Sequence, residues 1–417
     1  MPPGAGPSYN TGARRASPAR NRVGDADAAP LREEGYRESI ALLSDDPRAP
    51  YQRPPLSKAY MKREADADAL ILRGPAFYEQ KAIDLGLGVE ALAIDRAARV
   101  VRFKTGESLG YDTLVLATGG LARPFPVPGA ELAGVHALRD MGDAEALREK
   151  LETSRNVVVV GAGFIGLEFA AVAAKSGLRT SVVEVAPRVM GRAVSPAISD
   201  FYAQAHRGFG VDLRLGVGVG AIEGKDGKAC GVRLADGQVL PADFVVVGIG
   251  VVARDGLAKA AGFDCPNGVR VDARLATSDP HIFAIGDVAL HPNAYGHREM
   301  RLESVQNATD QARALARTLT GKPTDYVALP WFWSDQGDLK LQMVGLADTA
   351  EAFVTRGDPA TRAFSVFGFA GGRLVSIESV NKPADHMIGR KLIPMQAPLT
   401  PAQAADAAFD LKALAKG

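Results

Sequence analysis

The sequence predicts an α/β fold with two Rossmann-like, three-layer units, one inserted in the other, and an α+β domain at the C-terminus. A buried strand, a glycine-rich turn and an apolar helix follow one another in NVVVVGAGFIGLEFAA. Three further apolar runs, YDTLVLATGG, ADFVVVGIG and HIFAIGDVA, each stop at a glycine turn, as parallel strands do at their carboxyl ends. Beyond Tyr326 the pattern changes to the alternation of half-buried strands, as in LKLQMVGLA and RLVSIESV.

The glycine turn in VGAGFIG predicts a binding site for a dinucleotide diphosphate. In the pattern GxGxxG, Gly161 permits the tight turn, Gly163 lets the backbone approach a pyrophosphate, and Gly166 lets the helix pack closely on the strand. Phe164 and Ile165 open the helix, whose N-terminus faces the diphosphate. A structural glycine turn in another α/β protein is the alternative, which the ordered strand, turn and helix disfavour.

The strand that follows, TSVVE, predicts which nicotinamide nucleotide binds. It ends at Glu184, and a carboxylate at this place accepts hydrogen bonds from a ribose 2′-hydroxyl and repels a 2′-phosphate. We therefore expect NAD in preference to NADP. Arg188 and Arg192 lie just downstream and leave NADPH as the less favoured alternative.

Length, charge and cysteine content exclude several classes of protein. The 417 residues suffice for two or three domains, and 49 basic against 48 acidic residues indicate no nucleic-acid partner. No apolar run approaches the length of a membrane span, so a cytoplasmic protein is expected. The two cysteines, Cys230 and Cys265, form no CxxC pair, which argues against a redox disulfide. The six histidines show no metal-ligand spacing, and no metal is expected.

Domain boundaries follow from a linker and from the change in strand pattern. The proline-rich stretch LARPFPVPGA at 121–130 is typical of a linker. We expect a first nucleotide-binding unit at 31–122 and 248–325, interrupted by an NAD-binding unit at 123–247. The C-terminal domain is expected at 326–417.

A proline-stiffened loop, APYQRPPLSKAYM, holds Arg53 and Lys58 and suits a diphosphate and an electron-rich flavin ring at low entropic cost. With this loop the chain resembles the FAD-dependent ferredoxin reductases of the pyridine nucleotide-disulfide oxidoreductase superfamily, the putidaredoxin, rhodocoxin and rubredoxin reductase type. The similarity runs from about Leu31 to the C-terminus. It includes ATGG, GAGFIGLE, TSDPHIFAIGD, RLESVQNATDQA, PWFWSDQ and VNKPAD.

The resemblance implies two cofactors, FAD and NADH, and a set of residues for each. For FAD it implies Asp45 or Asp46 at the adenosine ribose, Arg53, Lys58, Ala91, Thr118, Gly119, Arg139, Asp287 and Val305. For NAD the set is Gly161, Gly163, Phe164, Ile165, Gly166, Glu168, Glu184, Arg192, Gly250 and Glu303. Lys58 is expected at the flavin and Glu168 near the nicotinamide. Hydride transfer to a flavin needs no protein acid or base, so no catalytic side chain of that kind is expected.

Four positions carry a more specific expectation. The resemblance places Asp287 on the ribityl chain of FAD. It places Val305 at a helix N-terminus that faces the flavin pyrimidine, where the helix dipole helps to stabilise negative charge on the reduced ring. Trp333 is expected beside the isoalloxazine or nicotinamide ring, with packing in the C-terminal domain as an equal alternative, and Trp331 is expected in the core.

Two segments depart from the family pattern, which begins with its own strand and GxGxxG turn for the FAD diphosphate. Upstream of Leu31 no apolar strand is expected, and only Gly24 falls where a glycine of that motif should be. Residues 1–30 are expected to be aberrant or disordered, through a reading-frame error, a targeting peptide at 1–22, or genuine divergence with weakened FAD binding. The second departure is Ala253-Arg254, where relatives usually carry Pro-Asn.

The expected function is electron transfer from NADH through FAD to a ferredoxin or rubredoxin that serves a cytochrome P-450 or a ring-hydroxylating dioxygenase. The alternatives are an NADH oxidase and a non-catalytic NAD-binding protein with a defective flavin site. A monomer or weak dimer is expected. Basic residues that could dock an acidic carrier are Arg298, Arg301, Lys340, Lys382 and Arg390.

Overall fold

A computed structural model describes residues 21–23 and 28–415, with side chains from residue 28 onward. Within these residues, no helix has both the length and the apolar character needed to cross a membrane. The first stretch of chain contains β1 (Asn21–Val23), β2 (Ile40–Leu43), β3 (Ile83–Gly86), β4 (Ala91–Asp95), β5 (Val100–Phe103), β6 (Ser108–Gly110), β7 (Leu114–Leu116) and β8 (Gly120–Ala122), with α1 (Ala29–Glu33), α2 (Ala67–Leu70) and α3 (Pro75–Gln80).

The remaining elements follow in three further stretches. The second contains β9 (Val135–His136), β10 (Asn156–Val160), β11 (Arg179–Glu184), β12 (Asp212–Leu215), β13 (Val219–Lys225), β14 (Lys228–Leu234), β15 (Val239–Pro241) and β16 (Phe244–Val247), with α4 (Met141–Thr153), α5 (Phe164–Lys175) and α6 (Pro196–Gly208). The third contains β17 (Val251–Ala253), β18 (Val269–Arg270), β19 (Ile282–Ala284), β20 (Ala289–Asn293) and β21 (Arg298–Met300), with α7 (Gly256–Ala260) and α8 (Val305–Leu319). The last contains β22 (Trp331–Gln336), β23 (Leu339–Gly345), β24 (Ala352–Arg356), β25 (Phe364–Ala370) and β26 (Arg373–Val380), with α9 (Pro383–Leu392), α10 (Pro401–Ala405) and α11 (Leu411–Leu414).

The first sheet is parallel throughout and runs β19–β7–β1–β2–β3. Its central strand is β1, so the expectation that residues 1–30 hold no strand is wrong for this segment. The neighbouring strands on both sides satisfy the backbone hydrogen bonds of β1. This pairing overrides the weak strand propensity of the sequence NRV. Residues 1–20 and 24–27, which include Gly24, lie outside the described part of the chain.

The second sheet, β12–β11–β10–β16–β9, is also parallel and forms the inserted unit. The four valines of β10 are buried, and β10 pairs with β11 on one side and β16 on the other. Helix α5 packs against this sheet with an almost wholly buried surface, in which Phe169 and Ala170 are fully enclosed. The sequence is apolar here because a central parallel strand and its covering helix are screened from water on every side.

Two short strands join the units. β8 leaves the first unit and β17 returns to it, and the two pair antiparallel, with Leu121 opposite Val252. The C-terminal domain is an antiparallel sheet in the order β22–β23–β26–β25–β24, with α9 packed on it through Leu392. The predicted fold class, two Rossmann-like units followed by an α+β domain, is confirmed.

Candidate cofactor and active site

A cavity of about 2750 Å³ lies where the carboxyl ends of both parallel sheets meet the C-terminal domain. Typical small-ligand pockets measure roughly 300–1,000 Å³, so this cavity has room for two dinucleotides. Every residue that the sequence assigns to FAD or NAD lines it, with the exception of Gly166. Trp333 lines it as well. The topology explains this convergence, because ligands of open α/β sheets bind outside the carboxyl ends of the strands.

The three glycines after β10 differ in what the fold requires of them. Gly161 has a φ of +103°, and a Cβ there would lie 2.4 Å from the carbonyl oxygen of Gly248. At Gly166 a Cβ would lie 2.1 Å from the carbonyl oxygen of Gly161, which is why this glycine faces the strand and not the cavity. At Gly163 the nearest protein atom would be 3.9 Å away. The protein itself therefore leaves space at Gly163, at the N-terminus of α5, as expected for close approach of a ligand.

Glu184 ends β11 beside this turn. Its Oε2 accepts a hydrogen bond from Ala162 N at 2.8 Å, and its Oε1 accepts one from Ala186 N at 2.8 Å. Each oxygen keeps a further lone pair for a ribose hydroxyl. Arg192 is exposed at the same wall, and Nη1 of Arg188 is buried there with no hydrogen-bond partner among the described residues. An unpaired buried donor beside a glycine turn fits an anionic or carbonyl-bearing ligand.

The carboxylate of Glu168 is buried between three parts of the molecule. Its Oε2 accepts from Lys58 Nζ at 2.6 Å and from Ser57 Oγ at 2.5 Å, and its Oε1 accepts from Ser334 Oγ at 2.6 Å. Glu168 is 3 % exposed and Lys58 is 14 % exposed. Gln336 donates to Ser334 Oγ at 3.1 Å. A buried carboxylate is stable only when it is paired and fully hydrogen-bonded, and these partners meet that condition.

A second ion pair joins the end of β19 to the inserted unit. Nη2 of Arg139 lies 2.8 Å from Oδ2 of Asp287, and Nε of Arg139 donates to the carbonyl oxygen of Gly120 at 3.0 Å. Nη1 of Arg53 donates to the carbonyl oxygen of Arg139 at 3.0 Å. These cations and the acceptor of Asp287 face the cavity close to Thr118, so hydroxyl and phosphate groups would find both donors and an acceptor there.

The N-terminus of α8 opens into the cavity. Val305 is its first residue and is 48 % exposed, and Ser304 caps the helix by accepting a hydrogen bond from Asn307 N. Glu303 precedes Ser304, and its Oε1 lies 2.7 Å from Nη2 of Arg301. Desolvation in the cavity wall raises the pKa of Glu303 above its usual range, and Arg301 acts in the opposite direction. A 15-residue helix directs partial positive charge at this end of the cavity.

Trp333 is half-buried at the cavity wall and packs on its neighbours in the C-terminal domain. Its ring centroid lies 5.7 Å from that of Trp331, and the guanidinium of Arg390 lies 4.8 Å above the Trp331 ring. His386 packs edge-on against the same tryptophan. Trp333 thus combines a cavity-facing position with packing, the two roles that the sequence left open.

The expected basic patch is not brought together as a whole. The Arg301 side chain is 6 % exposed and donates to the carbonyl oxygen of Asp287 at 3.0 Å, so it is part of the cavity wall and not of the outer surface. Arg298 is exposed and pairs with Asp348. Lys340 and Arg390 are exposed, and Lys382 is partly exposed.

Sequence reasoning missed three partners in this site: Ser57, Ser334 and Arg254. The serines have no signal of their own, because hydroxyls that bond a buried carboxylate come from segments far apart in the chain. Arg254 forms an ion pair with Asp45, and its only signal is the departure from Pro-Asn.

The residues present fit the two nucleotides. The space left at Gly163, the unpaired donor on Arg188 and the paired donor and acceptor set around Asp287 are what a dinucleotide needs from its site. No group of three or more His, Cys, Asp or Glu residues that could hold a metal occurs among the described residues.

Comparison with known proteins places the chain in a family. Residues 26–312 match the family model of the pyridine nucleotide-disulphide oxidoreductases, and residues 331–415 match the reductase C-terminal model. The chain is 48 % identical over 391 residues to rhodocoxin reductase from Rhodococcus erythropolis, covering 94 % of this chain and 92 % of that protein.

Solved structures agree with this placement. The ferredoxin reductase for the CYP199A2 system from Rhodopseudomonas palustris superposes with a TM-score of 0.92 at 47 % identity, covering 95 % of this chain and 98 % of that one. The covalent putidaredoxin reductase–putidaredoxin complex gives a TM-score of 0.92 at 38 % identity, covering 96 % and 98 %. The chain therefore belongs to the pyridine nucleotide-disulphide oxidoreductase family and within it to the ferredoxin reductase type, oxidoreductases that use FAD and a nicotinamide dinucleotide.

Proposed function

We propose that this chain takes electrons from NADH through FAD and passes them to a ferredoxin or rubredoxin that serves a cytochrome P-450 or a ring-hydroxylating dioxygenase. The observation that carries the proposal is one continuous cavity that reaches from the glycine turn of α5 to the N-terminus of α8 and is lined by neither of the chain's two cysteines. Because no thiol lines the cavity, no protein disulfide can accept electrons there. The electrons therefore pass to another molecule.

FAD, when bound, accepts two electrons from NADH and releases them one at a time. The chain's own groups bind and orient the two nucleotides. We assign the NADH diphosphate to the N-terminus of α5 at Gly163 and its ribose to Glu184. We assign the FAD ribityl chain to Asp287, whose carboxylate is held by Arg139.

The ion pair of Lys58 and Glu168 positions the junction between the two nucleotides. Three hydrogen bonds to Glu168 fix its carboxylate, and the carboxylate fixes the ammonium group of Lys58 at the cavity wall. The N–H groups at the start of α8 add partial positive charge where the resemblance places the flavin pyrimidine. A preorganised cation and helix terminus stabilise negative charge without rearrangement.

The carrier would dock beside Trp333, where the cavity meets the exposed face of the C-terminal domain. Arg390 lies over the Trp331 ring next to Trp333, and two lysines of the same domain follow, Lys340 on β23 and Lys382 at the start of α9. A small acidic iron–sulfur protein would be steered to them by charge. Rubredoxin or ferredoxin as the carrier, a cytoplasmic location and a monomeric or weakly dimeric state are parts of the same proposal.

The first test is the visible absorption spectrum of the purified chain before and after anaerobic addition of NADH. Flavin bands that bleach with NADH support a functional FAD site. A colourless protein that takes up no FAD contradicts the proposal and favours the NAD-binding alternative. Rapid oxygen consumption with NADH that exceeds electron transfer to ferredoxin favours the oxidase alternative.

The second test is a charge-reversal variant, Lys340→Glu with Lys382→Glu. Reduction of a cytochrome through ferredoxin should slow about tenfold or more at low salt, whereas NADH-to-ferricyanide activity should stay unchanged. The matched control reverses Lys225 and Lys228, exposed on the β13–β14 hairpin and outside the cavity lining. Equal loss of both activities would contradict docking at this face.

A further inference from the structure

An ion pair at one end of the cavity joins two segments that are 209 positions apart. Arg254 follows β17, and Asp45 follows β2. Nη1 of Arg254 donates to Oδ1 of Asp45 at 3.1 Å, and Nη2 donates to Oδ2 in a closer contact. Both side chains are 40 % exposed and both line the cavity. The pair is therefore a bidentate contact that is accessible from the cavity.

The backbone of Arg254 is itself fixed. Its N–H donates to the carbonyl oxygen of Gly119 at 2.9 Å, and its carbonyl oxygen accepts a hydrogen bond from Thr118 Oγ1 at 2.6 Å. The side chain thus extends from a held position on the Thr118-Gly119 turn to the end of β2. Such a guanidinium is preorganised, so little conformational entropy is lost when it pairs.

The neighbouring acid, Asp46, is also hydrogen-bonded within the protein, and it is less exposed than Asp45. Oδ1 of Asp46 accepts from Arg48 N at 3.0 Å, and Oδ2 accepts from the hydroxyl of Tyr51 at 3.2 Å, with the side chain 17 % exposed. Asp45 is the more exposed of the two. A carboxylate offers about four lone-pair positions, and the guanidinium fork uses two. The backbone N–H of Asp45 bonds the same carboxylate, and acceptor capacity on Asp45 still remains for ribose hydroxyls.

Arg254 changes what an approaching dinucleotide meets. The hydrogen bond from Arg254 is the main cause that holds the pKa of Asp45 below its usual range. Its positive charge also offsets the repulsion that two adjacent carboxylates would exert on the anionic diphosphate of FAD. The sequence offers only one glycine, Gly24, among residues 21–30, so support for the adenosine diphosphate end of FAD from elsewhere in the site gains importance.

We propose that Arg254 is a positioning residue for the adenosine end of FAD: it fixes the carboxylate of Asp45 so that this side chain, and not Asp46, accepts the ribose hydroxyls. The inference rests on the proposed function, because it requires FAD in this cavity. Arg254 acts through Asp45 and not by direct contact with the reacting rings.

The test measures how tightly the flavin-loaded protein holds FAD. On dilution, released FAD is followed by its fluorescence, and the dissociation constant is compared for the wild type, Arg254→Gln and Arg254→Lys. Arg254→Gln should raise the dissociation constant about three- to tenfold, as expected for a partly exposed charged pair. Arg254→Lys keeps the positive charge but loses the two-pronged guanidinium. Its dissociation constant for FAD should lie between those of the wild type and Arg254→Gln. The increase should shrink at high salt.

A double-mutant cycle separates positioning from a merely structural effect. In an Asp45→Asn background, Arg254→Gln should change the dissociation constant less than twofold, because its partner is absent. The control is Arg274→Gln, which removes an exposed ion pair with Asp325 away from the cavity and should leave FAD retention unchanged. Arg254→Lys keeps the test decisive if Arg254→Gln does not accumulate as folded protein.

The outcomes are distinguishable. An unchanged or lower dissociation constant in Arg254→Gln overturns the role of Arg254, as does a full effect that persists with Asp45→Asn. If the variants behave this way while the wild type holds FAD and reduces its carrier, only this inference fails. A wild-type chain that binds no FAD overturns the proposed function and this inference together.

Discussion

Two alanine substitutions in one glycine turn should separate nucleotide binding from folding. At Gly166 a Cβ would lie 2.1 Å from the backbone oxygen of Gly161, which cannot rotate away, and 3.4 Å from Cγ1 of Val159. Overpacking costs about 1–3 kcal/mol, and a 2.1 Å approach to a backbone oxygen belongs at the upper end of that range, whereas the gain in helix propensity returns about 1 kcal/mol. We expect a net loss of about 2 kcal/mol, or about 4–8 °C in the thermal midpoint for a domain of this size.

Gly163→Ala should behave differently. Its backbone is extended, with φ of −79° and ψ of −177°, which alanine adopts without strain, and the nearest protein atom is 3.9 Å from the new methyl group. The free energy of unfolding should therefore change by less than about 1 kcal/mol. The methyl group would instead occupy the space at the helix N-terminus, and the dissociation constant for NAD⁺ should rise at least about tenfold, which corresponds to about 1.4 kcal/mol.

Thermal unfolding followed by circular dichroism, without nucleotide, gives the first quantity, and titration calorimetry with NAD⁺ gives the second without turnover. Gly208→Ala, at the end of α6 with open space around it, is the control: it should leave NAD⁺ affinity unchanged and should not lower the thermal midpoint, because the added methyl group meets nothing and alanine has the higher helix propensity. The reasoning is refuted if Gly163→Ala lowers the midpoint as much as Gly166→Ala, or if it leaves NAD⁺ affinity unchanged.

Three carboxylates give further predictions. Glu168→Gln leaves Lys58 without its counter-charge, and we expect a loss of about 3 kcal/mol in unfolding free energy together with slower flavin reduction by NADH in rapid-mixing absorbance measurements. Burial raises the pKa of Glu378 to about 7 from 4.5. The folded protein therefore binds this proton more tightly than the unfolded chain, and the resulting stabilisation is present below pH 4.5 and is lost as the pH rises to 7. The unfolding free energy of Glu378→Gln relative to the wild type should accordingly rise by about 3 kcal/mol between pH 4.5 and pH 8. Glu184→Ala removes the ribose acceptor, and the ratio of kcat/KM for NADH over NADPH should fall about tenfold in steady-state assays.

Each of these has an outcome that contradicts it. Wild-type stability and flavin reduction in Glu168→Gln would mean that Lys58 does not depend on the pair. A stability difference for Glu378→Gln that is constant with pH would mean that the carboxyl has the same pKa in the folded and unfolded states, so that burial does not raise it. An unaltered nucleotide preference in Glu184→Ala would shift the discrimination to Arg188 or Arg192.

Features set by local pattern could be predicted from the sequence. The fold class follows from four apolar runs that end in glycine turns, because strand burial and turn chemistry are written in adjacent residues. The roles of Gly161 and Gly166 follow from the same segment, and the positive φ and the 2.1 Å approach agree with them. The predicted residues other than Gly166 line one cavity, because the topology of parallel sheets fixes where strand ends meet.

Features set by contact between distant segments could not be predicted from the sequence. The strand β1 exists because two neighbours pair with it, although its own residues do not favour a strand. Glu168 meets Ser334 across 166 positions, and Arg254 meets Asp45 across 209. The sequence suggests that Arg301 is a surface cation, but its side chain is only 6 % exposed. The partners of a charge depend on which segments the fold brings together, and only the tertiary structure decides that.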